Sequence, residues 1–238
     1  MNYQFGWEGS RRSHAVLWLA VFVASVATTR VASAGVCPLE LGQTYVGADL
    51  SGVSCPGVVL NEGLDSLFST ANLSASDLSM SVLIGGTSSF QVTNFSSADL
   101  HGAQLTGGIS AMQGADFTSA NLMDASLTAG VSGLQGADFT NANLTDAVIA
   151  TGLAGFREAG ITGAIFFGAD LSGVDGDGLM NAVFSTLAPP VYSASTLFPA
   201  GFDPRLYGWR YVPEPATLAL FGLGLTGIGA VRRRKLAA

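Results

Sequence analysis

Residues 115–136 read ADFTSANLMDASLTAGVSGLQG, and residues 137–158 read ADFTNANLTDAVIATGLAGFRE. They are two copies of one 22-residue sentence, written five times with starts at Ala71, Thr93, Ala115, Ala137 and Ala159. Each copy opens with three five-residue words of the form Ala-Asp/Asn-Leu/Phe-x-x. A seven-residue piece that usually begins with glycine closes it. Self-similarity at a fixed period of this size marks a solenoid, whose repeats bury themselves only against their neighbours.

The register sorts the side chains. Its third position holds Leu73, Phe95, Phe117, Phe139 and Ile161, and its eighth holds Leu78, Leu100, Leu122, Leu144 and Phe166. The thirteenth holds Leu83, Leu105, Leu127, Ile149 and Leu171. The twentieth holds Phe90, Met112, Leu134 and Phe156, then fails at Gly178, with Leu179 one place late. An apolar spacing of five fits neither the 3.6 of a helix nor the 2.0 of a strand. A chain that points inward every fifth residue turns a corner in between. Three corners and a longer fourth side close one coil. Stacked coils then place equal positions ~4.8 Å apart, as paired strands do.

The words ADLSG (48–52), ADLHG (98–102), ANLMD (120–124) and ANLTD (142–146) resemble the pentapeptide-repeat family. The resemblance implies an all-β, right-handed, quadrilateral β-helix with the central Leu/Phe and the preceding Ala turned inward. Family members commonly close a coil in four words, whereas the sentence repeated here is two letters longer than four words. A bulged fourth side carried by GISAMQG (108–114) and GVSGLQG (130–136) is the expected accommodation. The solenoid is assigned to 71–185, with a cap and one irregular coil at 35–70 and a C-terminal cap at 186–211. Within that second cap Pro189-Pro190 halts any ladder, because proline cannot donate, and Phe198, Phe202, Leu206 and Trp209 serve as lids.

Both ends carry targeting features. Residues 1–34 read as a signal peptide: Arg11 and Arg12, the apolar run 15–26, then Ala32-Ser33-Ala34, with cleavage expected after Ala34. Its alternatives are a retained N-terminal anchor and twin-arginine export. Val36 before Cys37 argues against lipid attachment. At the other end Pro213-Glu214-Pro215 precedes a charge-free segment, 216–231, and then Arg232, Arg233, Arg234 and Lys235. A basic cluster beside an apolar segment stays in the cytoplasm, so one transmembrane helix is expected there. This tail, 212–238, resembles the PEP-CTERM sorting signal. The resemblance implies recognition of Pro-Glu-Pro by an exosortase after passage through the inner membrane. An ordinary retained anchor is the alternative.

Charge and cysteines bound the function. Residues 35–211 contain 15 Asp+Glu and 3 Arg, a net charge of 3 − 15 = −12. An acidic exported body repels nucleic acid. Acidic rods of this family in the cytoplasm imitate DNA and bind a topoisomerase; the export signal disfavours that role here, because the target is cytoplasmic. Cys37 and Cys55 are the only cysteines, and an even count in an exported chain favours one disulfide over a redox or metal pair. Asp116 above Asp138, and Asp175 with Asp177 in VDGDG (174–178), are the calcium candidates. The loop pattern lacks an acid two places before Asp175 and has Phe184 where a bidentate acid belongs. No cofactor is otherwise expected. The sequence shows no nucleophile–His pairing and no phosphate-binding glycine loop, so no enzyme is expected. The expected role is that of an exported surface protein, structural or adhesive in extracellular polysaccharide and handled by signal peptidase and exosortase. A cation- or glycan-binding module is the alternative.

Overall fold

The computed structural model describes residues 37–213. The expected signal peptide with its expected cleavage residues Ala32 and Ala34, and the sorting residues from Glu214 onward, lie outside them, as does the segment expected to span the membrane.

The repeat becomes a stack of coils joined by parallel ladders. One sheet has the order β1-β2-β3-β4-β5-β7. Its strands are β1 (Val59–Leu64), β2 (Val82–Gly85), β3 (Gln104–Thr106), β4 (Ser126–Ala129), β5 (Val148–Thr151) and β7 (Asp170–Gly173). β6 (Ile165–Phe166), β8 (Val191–Tyr192) and β9 (Arg210–Tyr211) form a second sheet in that order. Single bridges continue the ladders on the other sides, Asn94↔Asp116↔Asp138 on one and Asp99↔Asn121↔Asn143 on the next. Every pairing is parallel, and through the regular middle each residue pairs with its register equivalent in the next copy.

Four corners per coil hold residues in the left-handed region. In the coil from Ala71 they are Ala75 (φ 54°), Met80 (58°), Ser88 (57°) and Val92 (54°), and the same register positions turn in the next three coils. Left-handed backbone is disfavoured for L-residues. Asx side chains support the first two corners from three residues upstream. The Asp116 carboxylate accepts the Thr118 N–H at 2.8 Å, Asp138 accepts Thr140 N–H at 2.8 Å, and Asn94 accepts Ser96 N–H at 2.9 Å. Such short side-chain bonds to nearby backbone are what Asp and Asn supply in turns.

The core is a set of columns. Leu73, Phe95, Phe117, Phe139 and Ile161 are fully buried, as are Leu78, Leu100, Leu122, Leu144 and Phe166. Phe95, Phe117 and Phe139 stack with centroids 5.1 and 5.0 Å apart and rings 4° from parallel. The aromatic column is not confined to one register position. It runs Tyr45–Phe68–Phe90 along the twentieth position, crosses to Phe95 at 6.3 Å, and crosses back from Phe139 to Phe156 at 5.5 Å. Where one column holds a ring, the facing one generally holds Leu or Met: Leu73 with Phe90, Phe95 with Met112, Phe117 with Leu134. A core packed to crystal-like density requires such volume matching.

The two additional residues per coil fall between the thirteenth and twentieth positions. The third side carries the longest strands and runs on into a stacked glycine row, in which Gly108 N–H donates to Gly86 O and Gly130 N–H to Gly108 O. The expected bulge on the fourth side is therefore shared with the third. The corner they make is tight. A Cβ on Gly107 would sit 2.3 Å from the Ala111 Cβ, and one on Gly133 would sit 2.2 Å from the Ala129 Cβ. The facing pairs are Gly85/Ser89, Gly107/Ala111, Ala129/Gly133 and Thr151/Gly155. Each coil has one glycine in the pair, and the glycine changes sides halfway along the stack.

The ends depart from this regularity. The coil from Ala48 is one place longer, pairing Asp49 with Asn72 and Ser54 with Asp77. Cys55 thereby stands where later coils carry Leu78 and Leu100, and it is bonded to Cys37 across a sequence separation of 18. The bond holds the segment around buried Leu39 at the end of the core. At the other end Leu179 enters the core from a short helix, α1 (Gly176–Met180). The pairings then stretch beyond the repeat period, each by more than the one before: Gly160↔Val183, Ile165↔Val191 and Asp170↔Leu197.

Candidate functional site

Acidic residues recur on two sides of the solenoid, at the second position (Asp49, Asp116, Asp138) and the seventh (Asp77, Asp99), where the turn geometry puts them. Each of these carboxylates accepts a backbone N–H at one oxygen. Asn72 donates across the coil boundary to Asp49 at 2.9 Å, and Asn121 donates to Asp99 at 3.0 Å. Where an amide stacks on a carboxylate, as at these two steps, repulsion between coils is replaced by a hydrogen bond, whereas Asp77 on Asp99 and Asp116 on Asp138 are stacked carboxylates. Hydrogen bonds from Ser51 hold the Asp49 carboxyl below its ordinary 3.8. Those from the Ser79 hydroxyl and N–H do the same for Asp77. Hydrogen bonding to the charged form favours that form.

Asp116 and Asp138 do lie on adjacent coils, as the register requires. Among the described residues, however, no group of three His, Cys, Asp or Glu side chains converges as a metal site would need. Gly160 continues their row with no ligand to add. The VDGDG stretch leads into a short helix. It opens α1, with Asp175 at the cap position and Asp177 in the first turn. The Asp175 carboxylate accepts the Ala154 N–H at 3.0 Å, which ties the helix to the coil below. His101 faces outward, its Nδ1 3.0 Å from Met123 O and 3.7 Å from the Asp124 carboxylate.

A second polar row lies outside the Asx pattern. Gln91 Nε2 donates to Gln113 Oε1 at 3.1 Å, and Gln113 Nε2 lies 3.5 Å from Gln135 Oε1. The signal was present in the sequence, since glutamine recurs at the twenty-first position in three consecutive copies.

The sorting stretch meets the fold at its last strand. β9 pairs with β8, and the Val212 N–H donates to Tyr192 O at 2.8 Å. Pro213, exposed, follows at once and has no N–H with which to extend the pairing. Below this strand the lids pack as a cluster. Trp209 lies 5.0 Å from Phe166 and 5.4 Å from Phe198, and Phe202 stacks on Tyr207 at 5.0 Å. Of the four expected lids, Phe202 and Trp209 are buried and Phe198 packs against the core, but Leu206 is 81% exposed. Leu206 is thus not a lid. It sits in a turn in which its N–H donates to Asp203 O and the Tyr207 N–H to Pro204 O, and the turn carries its side chain away from the core.

A family model described as the PEP-CTERM protein-sorting motif matches residues 212–235. No curated protein matches the chain. Among solved structures, the chain is similar to full-length QnrB1, a plasmid-mediated fluoroquinolone resistance protein. The identity is 18%, over 78% of this chain and 98% of that one, with a TM-score of 0.33. It is also similar to HetL, a pentapeptide repeat protein of the cyanobacterium Nostoc, at 17% identity over 73% and 86% of the two chains and a TM-score of 0.18. A pentapeptide repeat protein of the Arabidopsis thaliana thylakoid lumen is 24% identical over 68% and 74%, with a TM-score of 0.16. The chain is a four-cornered repeat solenoid that passes, at its final ladder hydrogen bond, directly into a PEP-CTERM protein-sorting motif.

Proposed function

We propose that this protein is an exported, non-catalytic surface solenoid, delivered through its PEP-CTERM motif and processed by an exosortase, with a structural or adhesive role in an extracellular polysaccharide matrix. The observation that carries the reading is the match of the sorting motif to residues 212–235, immediately behind a folded body that ends at Val212. The N-terminal apolar run and Ala32-Ser33-Ala34 support export. The Cys37–Cys55 bond suits an oxidising compartment. The carboxylates of the ladders serve turns and neighbouring coils, which supports a scaffold rather than an acid–base site.

The test is production of the chain in matched hosts with and without an exosortase, followed by intact-mass measurement. Loss of residues beyond the Pro-Glu-Pro stretch only in the exosortase host is expected, together with retention of the tail in Glu214→Ala. Equal masses in both hosts would overturn sorting. The matrix role is tested by retention of the processed protein on purified host exopolysaccharide; complete elution at physiological salt would overturn it.

A further inference from the structure

The last folded layer of the solenoid differs in chemistry from the rest of its surface. Of the three arginines among the described residues, Arg205 and Arg210 lie in this layer, whereas the acidic ladders run along the coils. Arg205 is neutralised by Asp203, its Nη2 2.8 Å from the carboxylate. Arg210 is exposed and forms no ion pair among the described residues. The same turn and strand carry the exposed Leu206 and the partly exposed Tyr207 and Tyr211. The turn 203–208 and β9 rest on the packed Trp209–Phe202–Phe198 cluster, so these groups sit on a firm base. An apolar residue, two tyrosines and a free arginine together match the interfacial layer of a bilayer.

Chain connectivity brings that layer to a membrane. Only three steps separate Pro213 from Ala216, where the charge-free segment begins. Three residues span at most about 10 Å. The headgroup region on one side of a bilayer is itself roughly 5–8 Å thick. A body tied so closely to an inserted segment has no room to float free of the surface. Charge decides how it meets that surface. With 15 acidic residues against 3 arginines over 35–211, a solenoid lying on its side would bring its Asp ladders against anionic lipid. Upright, at ~4.8 Å per coil, most of the ladders stand beyond the ~8 Å Debye length.

We propose that the C-terminal cap docks on the bilayer surface, with Leu206, Tyr207 and Tyr211 in the headgroup layer and Arg210 against lipid phosphate. The solenoid then stands upright with its Cys37–Cys55 end outermost. This rests on the reading of 212–235 as a membrane-sorting segment, and it goes beyond that reading in assigning the folded cap a lipid partner and the rod an orientation.

The experiment uses the exported chain from the host lacking exosortase, so that the tail is retained, reconstituted in vesicles of phosphatidylethanolamine and phosphatidylglycerol. Cys37 and Cys55 are bonded to each other, so a nitroxide attaches to a single introduced thiol, Leu206→Cys or Ser51→Cys. Both positions are exposed, and neither substitution removes a core contact. The label at 206 is expected to relax several-fold more with oxygen than with a water-soluble nickel complex, and the label at 51 the reverse. Arg210→Glu is expected to shift the 206 label toward the nickel complex while the protein still floats with the vesicles. Equal wetting of both labels on floating protein overturns the docking and leaves sorting intact. Dipolar broadening between 206 labels that rises with protein-to-lipid ratio also overturns it, by showing a second copy on the cap. Tail-bearing protein that does not float overturns docking and the sorting reading together.

Discussion

The coils from Ala71 to Glu158 and the two ends of the solenoid solve different problems. In the middle every coil has a neighbour on both sides, every pairing joins equal register positions, and the columns carry through without interruption. At the ends one neighbour is missing. The first coil answers with an extra residue and a disulfide, the last with α1, stretched pairings and an aromatic cluster. In a quasi-one-dimensional protein a coil is held only by those beside it. Regularity therefore suffices inside, and the irregular sequence gathers where the stack has to stop.

The strongest challenge to this contrast is truncation in the middle column. Phe117→Ala removes a ring stacked on both sides and is expected to destabilise by about 3–5 kcal/mol, read by urea unfolding. A cost below about 2 kcal/mol would mean that the columns are not the shared core.

Next comes the N-terminal staple. Reducing the Cys37–Cys55 bond is expected to cost about 2–4 kcal/mol, with the faster hydrogen exchange confined to roughly residues 48–70. Loss of protection at residues 115–136 as well would break the separation of end from middle. Because Cys55 occupies a leucine ladder position, Cys37→Ser/Cys55→Leu should recover part of the loss.

The corner where two glycine patterns meet sharpens the picture of the middle. Gly107→Ala drives a methyl into Ala111 and is expected to cost about 1–3 kcal/mol, as overpacking does. The double variant Gly107→Ala/Ala111→Gly should return near the parent, copying the arrangement found at Ala129/Gly133. Additive losses in that double-mutant cycle would show that the pair is not coupled.

A smaller gain is expected at Ser81. Its buried hydroxyl has no hydrogen-bond partner among the described residues, while the next four coils have Ala103, Ala125, Ala147 and Ala169 in its place. Ser81→Ala should stabilise by about 1 kcal/mol, read as a raised Tm.

The weakest effect is acid sensitivity at the first coils. Asp49 and Asp77 have folded-state pKa values lowered from 3.8, so the unfolded chain binds their protons more readily. Their contribution is complete above 3.8 and is lost as pH falls through the lowered values. Asp77→Asn should flatten the fall of Tm below that pH, and an unchanged slope would remove Asp77 from the account.

Much of the middle was legible because its side chains answer to position alone. Phe95, Phe117 and Phe139 share a letter in the repeat, and the fold stacks them. The glycine exchange between Gly107/Ala111 and Ala129/Gly133 was also written there, but as a relation across a corner whose closeness no local pattern announces. Leu206 misled for a related reason. Its hydrophobicity fits a lid, yet the turn at 203–208 faces it outward, and hydrophobicity does not specify direction. VDGDG resembles part of a metal loop in sequence, and in the fold it opens α1.

By itself the sequence determined the period, the inward columns and the order of solenoid before sorting motif, since each follows from residue type repeated at fixed spacing. Tertiary structure alone decided where the aromatic column crosses between positions, which member of each corner pair must lack a Cβ, and how close the last ladder bond lies to Pro213. These depend on distances between residues far apart in the chain. Spacing along the backbone says which side chains turn inward, and only the closed coil says how much room they find.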